Sequence, residues 1–91
     1  MANIYGHSQW ILDTAGVVTT DKVRINKMEW RPNAAADDLL IYDNNAETIW
    51  VTKALAGGTA GKEDFSPSKP FDALGFDVET IDGGTLYVWL C

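Results

Sequence analysis

Histidine occurs once in this sequence, as His7, and cysteine once, as Cys91. A single thiol excludes an intramolecular disulfide, and its terminal place, with no partner motif beside it, fits a reduced end residue. A metal site built on His7 would take every other ligand from carboxylates, because there is no second histidine and no internal cysteine. A nucleophilic triad would need a Ser or Thr set against that one imidazole, and no GxSxG-like turn is present. No catalytic residue is therefore assigned, and the chain is not expected to be an enzyme. The longest uninterrupted apolar run, LYVWLC, is far shorter than the roughly 20 residues that span a bilayer as a helix. The opening MANIYGHSQWILDTAG has neither the basic stretch nor the continuous apolar core of a secretory signal. A soluble chain is expected, with no membrane partner and nothing that points to export.

Basic residues are also scarce. Seven Lys and Arg face thirteen Asp and Glu, leaving a formal charge of -6. That balance opposes nucleic-acid binding, which depends on clustered cations that release phosphate counterions. One local exception is KVRINKMEWR, where Lys22, Arg24, Lys27 and Arg31 are opposed only by Glu29. It reads as the solvated edge of a strand or as a contact for an acidic protein partner. The acids are plentiful but sit beside turns, as Asp37, Asp38, Asp43 and Asp82 do, where a carboxylate accepting backbone N–H bonds accounts for them. DDLLIYDNN offers Asp38, Asp43 and Asn45 to calcium without the D-x-D-x-D-G spacing of a calcium loop. GGTAG lacks the Lys-Ser/Thr pair and the following helix of a phosphate cradle. Neither a metal nor a cofactor is expected.

What is abundant is period-two alternation. With 46% hydrophobic and 22% charged residues the composition is that of a folded globular chain, and 91 residues make one domain, 1–91, with a thin core. SQWILDT reads as a first strand, with AGVVTTD behind it as a turn and a short further strand. In DKVRINKMEWR, Val23 and Ile25 alternate in one phase while Met28 and Trp30 alternate in the other. A β-bulge near Asn26 and Lys27 restores a single inward face. RPNAAADD is a connection in which Asn33 is placed to cap one helical turn. LLIYD and TIWVTKALA flank the polar NNAE as a hairpin, and GFDVETI and TLYVWL flank DGG as a second. Between the hairpins lies GGTAGKEDFSPSKPFDAL, a long irregular segment that Phe65 and Phe71 are placed to pin. Six to eight strands of this spacing predict an all-β fold, a small antiparallel β-sandwich of jelly-roll or Ig-like type. Val23, Ile25, Met28, Trp30, Leu39, Ile41, Val78, Leu86 and Val88 form its expected core.

The phases leave large side chains over. In IWVTKALA, Ile49, Val51 and Leu55 share a face with Lys53, while Trp50 shares one with Thr52, Ala54 and Ala56. In the last strand Leu86, Val88 and Leu90 oppose Tyr87 and Trp89. The aliphatic set is expected to face the interior, which puts Tyr87 and Trp89 under the long loop through Phe65 and Phe71, or against a neighbouring subunit. A row of Trp on an exposed sheet face is also a way to stack sugar rings.

The segments MANIYGHSQWILDTAGVVTTDKVRINKMEW, LLIYDNNAETIWVTKA and FDALGFDVETIDGGTLYVWL together resemble a group of short proteins encoded in tailed-bacteriophage genomes. The shared pattern is a VRIxKMxW strand, a hairpin centred on Asp-Asn, and a PF…GF…TIDGGTLYVW ending. The resemblance is to an overall arrangement and brings no catalytic residue with it. It implies a β-sandwich virion component made in the host cytoplasm. The commonest role of such proteins is capsid decoration, in which the outside of the head is bound as a cement. Head-fibre, tail and neck accessory proteins are the related alternatives, and a carbohydrate-binding module is the alternative of another class. The partners implied are the major capsid protein or another virion protein, with homo-oligomers on the particle. Lys22, Arg24, Lys27, Arg31, Phe65, Phe71, Tyr87 and Trp89 are the expected partner-binding residues.

Overall fold

A computed structural model describes residues 3–6, 8–57 and 61–90. His7 and Cys91, the two residues weighed above for chemistry, lie outside these. Eight strands carry the fold: β1 (Ile4–Tyr5), β2 (Gln9–Leu12), β3 (Gly16–Arg31), β4 (Asp38–Tyr42), β5 (Thr48–Lys53), β6 (Glu63–Phe65), β7 (Phe71–Ile81) and β8 (Thr85–Leu90). All pair antiparallel in one open sheet of order β1-β2-β8-β3-β7-β4-β5, with β6 also paired to β3. The fold is all-β, as expected, and the described residues contain no α-helix.

One strand turns this single sheet into a sandwich. The first part of β3 pairs with β7, from Gly16 opposite Val78 to Ile25 opposite Phe71. Its second part pairs with β8 on one side, from Ile25 opposite Leu90 to Arg31 opposite Thr85, and with β6 on the other. The ladder to β8 skips from Ile25 to Lys27, so Asn26 is the extra residue of a bulge. That bulge is the phase change read in the sequence: Ile25 before it and Met28 and Trp30 after it all point inward and are fully buried. A bulged strand that serves two layers makes the corner of a sheet packed on itself. One layer is β1-β2-β8-β3-β6, and the other is β3-β7-β4-β5.

Between them lies the core. Eight of the nine residues expected there are buried, and Val23 packs against it half exposed. Trp10, Leu12 and Phe76 join them, with Trp10 meeting Phe76 edge to face at 5.4 Å. Trp30, fully buried, donates its indole N–H to the Gly83 carbonyl at 3.0 Å, so the polar atom that burial brings with it is satisfied.

The turns explain the acids. Asp43 accepts backbone N–H bonds from Asn45 (2.8 Å) and Glu47 (3.0 Å) and closes the β4–β5 hairpin. Asp82 accepts from Asp38 N–H at 2.9 Å, and Asp38 itself pairs with Lys53. In the β7–β8 turn Gly84 has φ +84°, and a Cβ there would lie 2.0 Å from the Arg31 carbonyl oxygen. Only glycine fits that approach.

Three expectations are corrected. The AGVVTTD segment is neither turn nor separate strand, because from Gly16 onward it is the start of β3, exposed along most of its length. The Asn33 connection makes no helical turn. Ala36 stands at φ +69°, and the Asp37 carboxylate accepts the Asn33 and Ala34 N–H groups. The long irregular segment contains β6 and the first residues of β7. In β5, whose two mixed faces the sequence does not assign, Val51 is 63% exposed and Leu55, just beyond the strand, 87%, while Trp50 and Ile49 pack against the core and Ala54 is buried. Trp50 wins the inner side because it meets Phe65 there, ring centroids 5.5 Å apart, and fills volume that Val51 would leave empty.

Candidate functional site

The outer face of the β1-β2-β8-β3-β6 layer is where the terminal strand puts the side chains its core does not use. Alternation sends Leu86 and Val88 inward and fully buries them, so Tyr87 and Trp89 project from the opposite side, half exposed. β8 is flanked by β2 and β3, so these rings stand in the middle of a sheet face. Register sets their neighbours. Trp89 lies opposite Gln9 on β2 and Lys27 on β3, while Tyr87 lies opposite Ile11 and Glu29. Ile4, on β1, continues the second row beyond Ile11 and is 52% exposed.

The rings and cations form a ladder. Tyr87 and Trp89 are stacked with centroids 6.2 Å apart and planes 30° apart. The Lys27 ammonium sits over the Trp89 ring at 4.7 Å, and the Arg31 guanidinium over the Tyr87 ring at 5.3 Å. Each cation is drawn to the negative face of its ring, a contact worth about 0.5–1 kcal/mol at an exposed site. Glu29 stands between the two cations on β3 and accepts a hydrogen bond from Arg31 Nε at 2.6 Å. That bond, reinforced by the carboxylate's charge, raises the Arg31 pKa above its ordinary value. Lys62 reaches Glu29 at 3.9 Å and Asp64 at 3.8 Å. Lys27 has no carboxylate within ion-pair distance among the described residues.

The partner-binding residues expected from the sequence fall into three groups. Lys27, Arg31, Tyr87 and Trp89 come together in this ladder. Lys22 and Arg24 belong to the other layer, and both reach Asp72, at 3.5 and 3.3 Å, so one carboxylate on β7 answers the pair. Phe65 and Phe71 face the interior, 5.6 Å apart, and pack against the core beside Trp50. They pin the long segment, but they do so on the far side of the sheet from Tyr87 and Trp89. The expectation that the long segment covers those two rings is therefore overturned: Phe65 pairs with Met28, whose side chain points inward, and parity excludes contact with the outer face. Ile4 and Ile11 complete the apolar part of the face; Ile4 was missed because a two-residue strand shows no alternation, and Ile11 because its neighbours on the face come from β1 and β8 and are set only by pairing.

The calcium candidates are not assembled. Asp38 and Asp43 stand just before and after the central residues of β4, at opposite ends of the strand, and Asp43 with Asn45 belongs to the hairpin turn. Flat sugar stacking on Tyr87 and Trp89 meets an obstacle as well, since Lys27 and Arg31 each occupy a ring face and the rings face one another. What the arrangement offers outward is a mixed surface of aromatic edges, two isoleucines and flanking positive charge, the composition of a protein-contact surface. No family model matches this chain, and no curated protein or solved structure matches it significantly.

Proposed function

We propose that the chain is a non-enzymatic structural protein of a tailed-phage virion, a decoration protein that binds the outside of the head. The observation that carries the reading is the outer face of Ile4, Ile11, Tyr87 and Trp89, which the described residues leave exposed at Ile4 and only partly buried at the other three. Large aromatic and aliphatic surface held in the middle of a sheet is the material of a docking surface. The resemblance of its residue pattern to short phage proteins is what suggests this setting, and the acidic all-β domain is consistent with it. The mechanism is passive. Many copies bury apolar and hydrogen-bonding surface across adjacent shell subunits and so resist internal pressure, with multivalency amplifying weak individual contacts. A place in a head fibre, tail or neck would use the same face in fewer copies.

The test is mass spectrometry of purified particles, with copy number from gel densitometry. Hundreds of copies support decoration, a few to a dozen place the chain in the tail or neck, and none overturns the virion reading.

A further inference from the structure

The two outer faces of the sandwich differ in charge in a way that suits them to each other. The cation–aromatic face carries Lys27, Arg31 and Lys62 against Glu29 and Asp64, an excess of positive charge on a chain at -6. The opposite face, formed by β3, β7, β4 and β5, carries the reverse. Its cations are engaged, Lys22 and Arg24 by Asp72 and Lys53 by Asp38. Asp77 and Glu79 have no cation within ion-pair distance among the described residues. Asp77 lies in register between Val17 on β3 and Tyr42 on β4, and Leu40 pairs with Val51 in the next row. Val17 and Val51 are both largely exposed. Each face thus combines apolar surface with charge that its own layer does not neutralise, and the signs are opposite.

We propose that the occupant of the cation–aromatic face is a second copy of this chain, which offers its Asp77 and Glu79 face to Lys27, Tyr87, Trp89 and Arg31. The proposal rests on reading the cation–aromatic face as a docking surface within the assembled particle, and it names the neighbouring copy, in place of a shell subunit, as what that face meets. Like faces do not meet, because that would set Lys27 and Arg31 against cations. The contact is therefore head to tail, and it builds a ring if the rotation between copies closes, or a filament if it does not. Opposite potentials across the contact also fix its register and exclude the like-charged pairing.

Sedimentation velocity of the purified full chain over a concentration series at low salt tests this. The expected result is a mean mass that rises with concentration and falls when salt is added. Lys27→Glu and Asp77→Lys should each need on the order of tenfold more protein to reach the same mean mass, because each sets like charges against one another. Mixed in equal amounts, the two variants should recover wild-type association. In the mixture one contact is the native pair and the other is its charge-reversed image. Near-ultraviolet circular dichroism of both variants confirms that the tryptophans keep their packing. A monomer at every concentration overturns the proposal. So does association that neither variant weakens, which would turn attention to the β5 edge, or a mixture that fails to recover. The particle experiment above uses virions and this one the isolated chain, so either reading can fail without the other.

Discussion

Removing the Trp89 ring separates a docking surface from a core. The ring's contacts within the chain are the stack on Tyr87 and the Lys27 cation over its face. An aromatic pair contributes about 0.5–1.5 kcal/mol beyond its buried area, and an exposed cation–π contact about 0.5–1 kcal/mol. Trp89→Ala should therefore cost the isolated domain about 1–2.5 kcal/mol through these two contacts, with the loss of its partly buried area in addition, yet less than deletion of a large aromatic from a closed core, which costs about 3–5 kcal/mol. Trp30→Ala is the internal comparison, because Trp30 is fully buried and its indole N–H is bonded to Gly83. Urea unfolding of dilute protein, followed by far-ultraviolet circular dichroism so that the lost fluorophore does not bias the signal, gives both values by linear extrapolation. In a domain of this size each kcal/mol moves Tm by about 4–8 °C, so the two variants should be clearly resolved. A double-mutant cycle with Lys27→Ala should return a coupling of about 0.5–1 kcal/mol. A loss for Trp89→Ala as large as that for Trp30→Ala would place the ring in the core and refute the assignment of faces, and zero coupling to Lys27 would refute the ladder.

Four further outcomes are expected. Ala46 holds φ +61° at the tip of the β4–β5 hairpin, so Ala46→Gly should stabilise the domain by roughly 0.5–1 kcal/mol in the same urea assay, the relief of left-handed strain exceeding the added chain entropy. Gly84→Ala should cost about 3 kcal/mol or more and lower Tm accordingly, since its Cβ would strike the Arg31 carbonyl and the Pro32 Cα. Reversing Lys22 and Arg24 to Glu adds negative charge to the face that carries Asp77 and Glu79, so association at low salt should strengthen in sedimentation velocity; a large loss of association would refute the head-to-tail pairing of the two faces. Chelator should leave the melting temperature where it was, and a fall of several degrees would revive a bound cation.

The places where the sequence was readable are those where alternation runs long enough to set a phase. Met28 and Trp30 out of step with Val23 and Ile25 located the bulge at Asn26, and the last strand told its two faces apart because Leu86 and Val88 are flanked by aromatic residues. β1 and β6 are two and three residues long and carry no period at all. The start of β7 was hidden because Phe71, Asp72, Ala73 and Leu74 lie behind two prolines, and Leu74 points outward. The orientation of β5 was not legible for a tertiary reason: both of its faces carry apolar side chains, and Phe65, brought in by β6, is what meets Trp50 on the inner side. The cation–aromatic ladder was half visible. Its four members were named, but their separation from Lys22 and Arg24 depends on Asp72, which is far along the chain and becomes a neighbour only when β7 pairs with β3.

That same pairing has a consequence for how the chain is made. β3 is synthesised early, yet each of its partners comes much later: Phe65 for Met28, Val78 for Gly16, Leu90 for Ile25. The last strand in order, β8, sits between β2 and β3 rather than at an edge. A ribosome-bound chain that stops short of Thr85 therefore leaves the β1–β2 pair without the strand that joins it to β3 and Trp30 without the Leu86 opposite it, and closing loops of such length is slow. The two layers can close only once the residues of β8 have been made and can insert between β2 and β3.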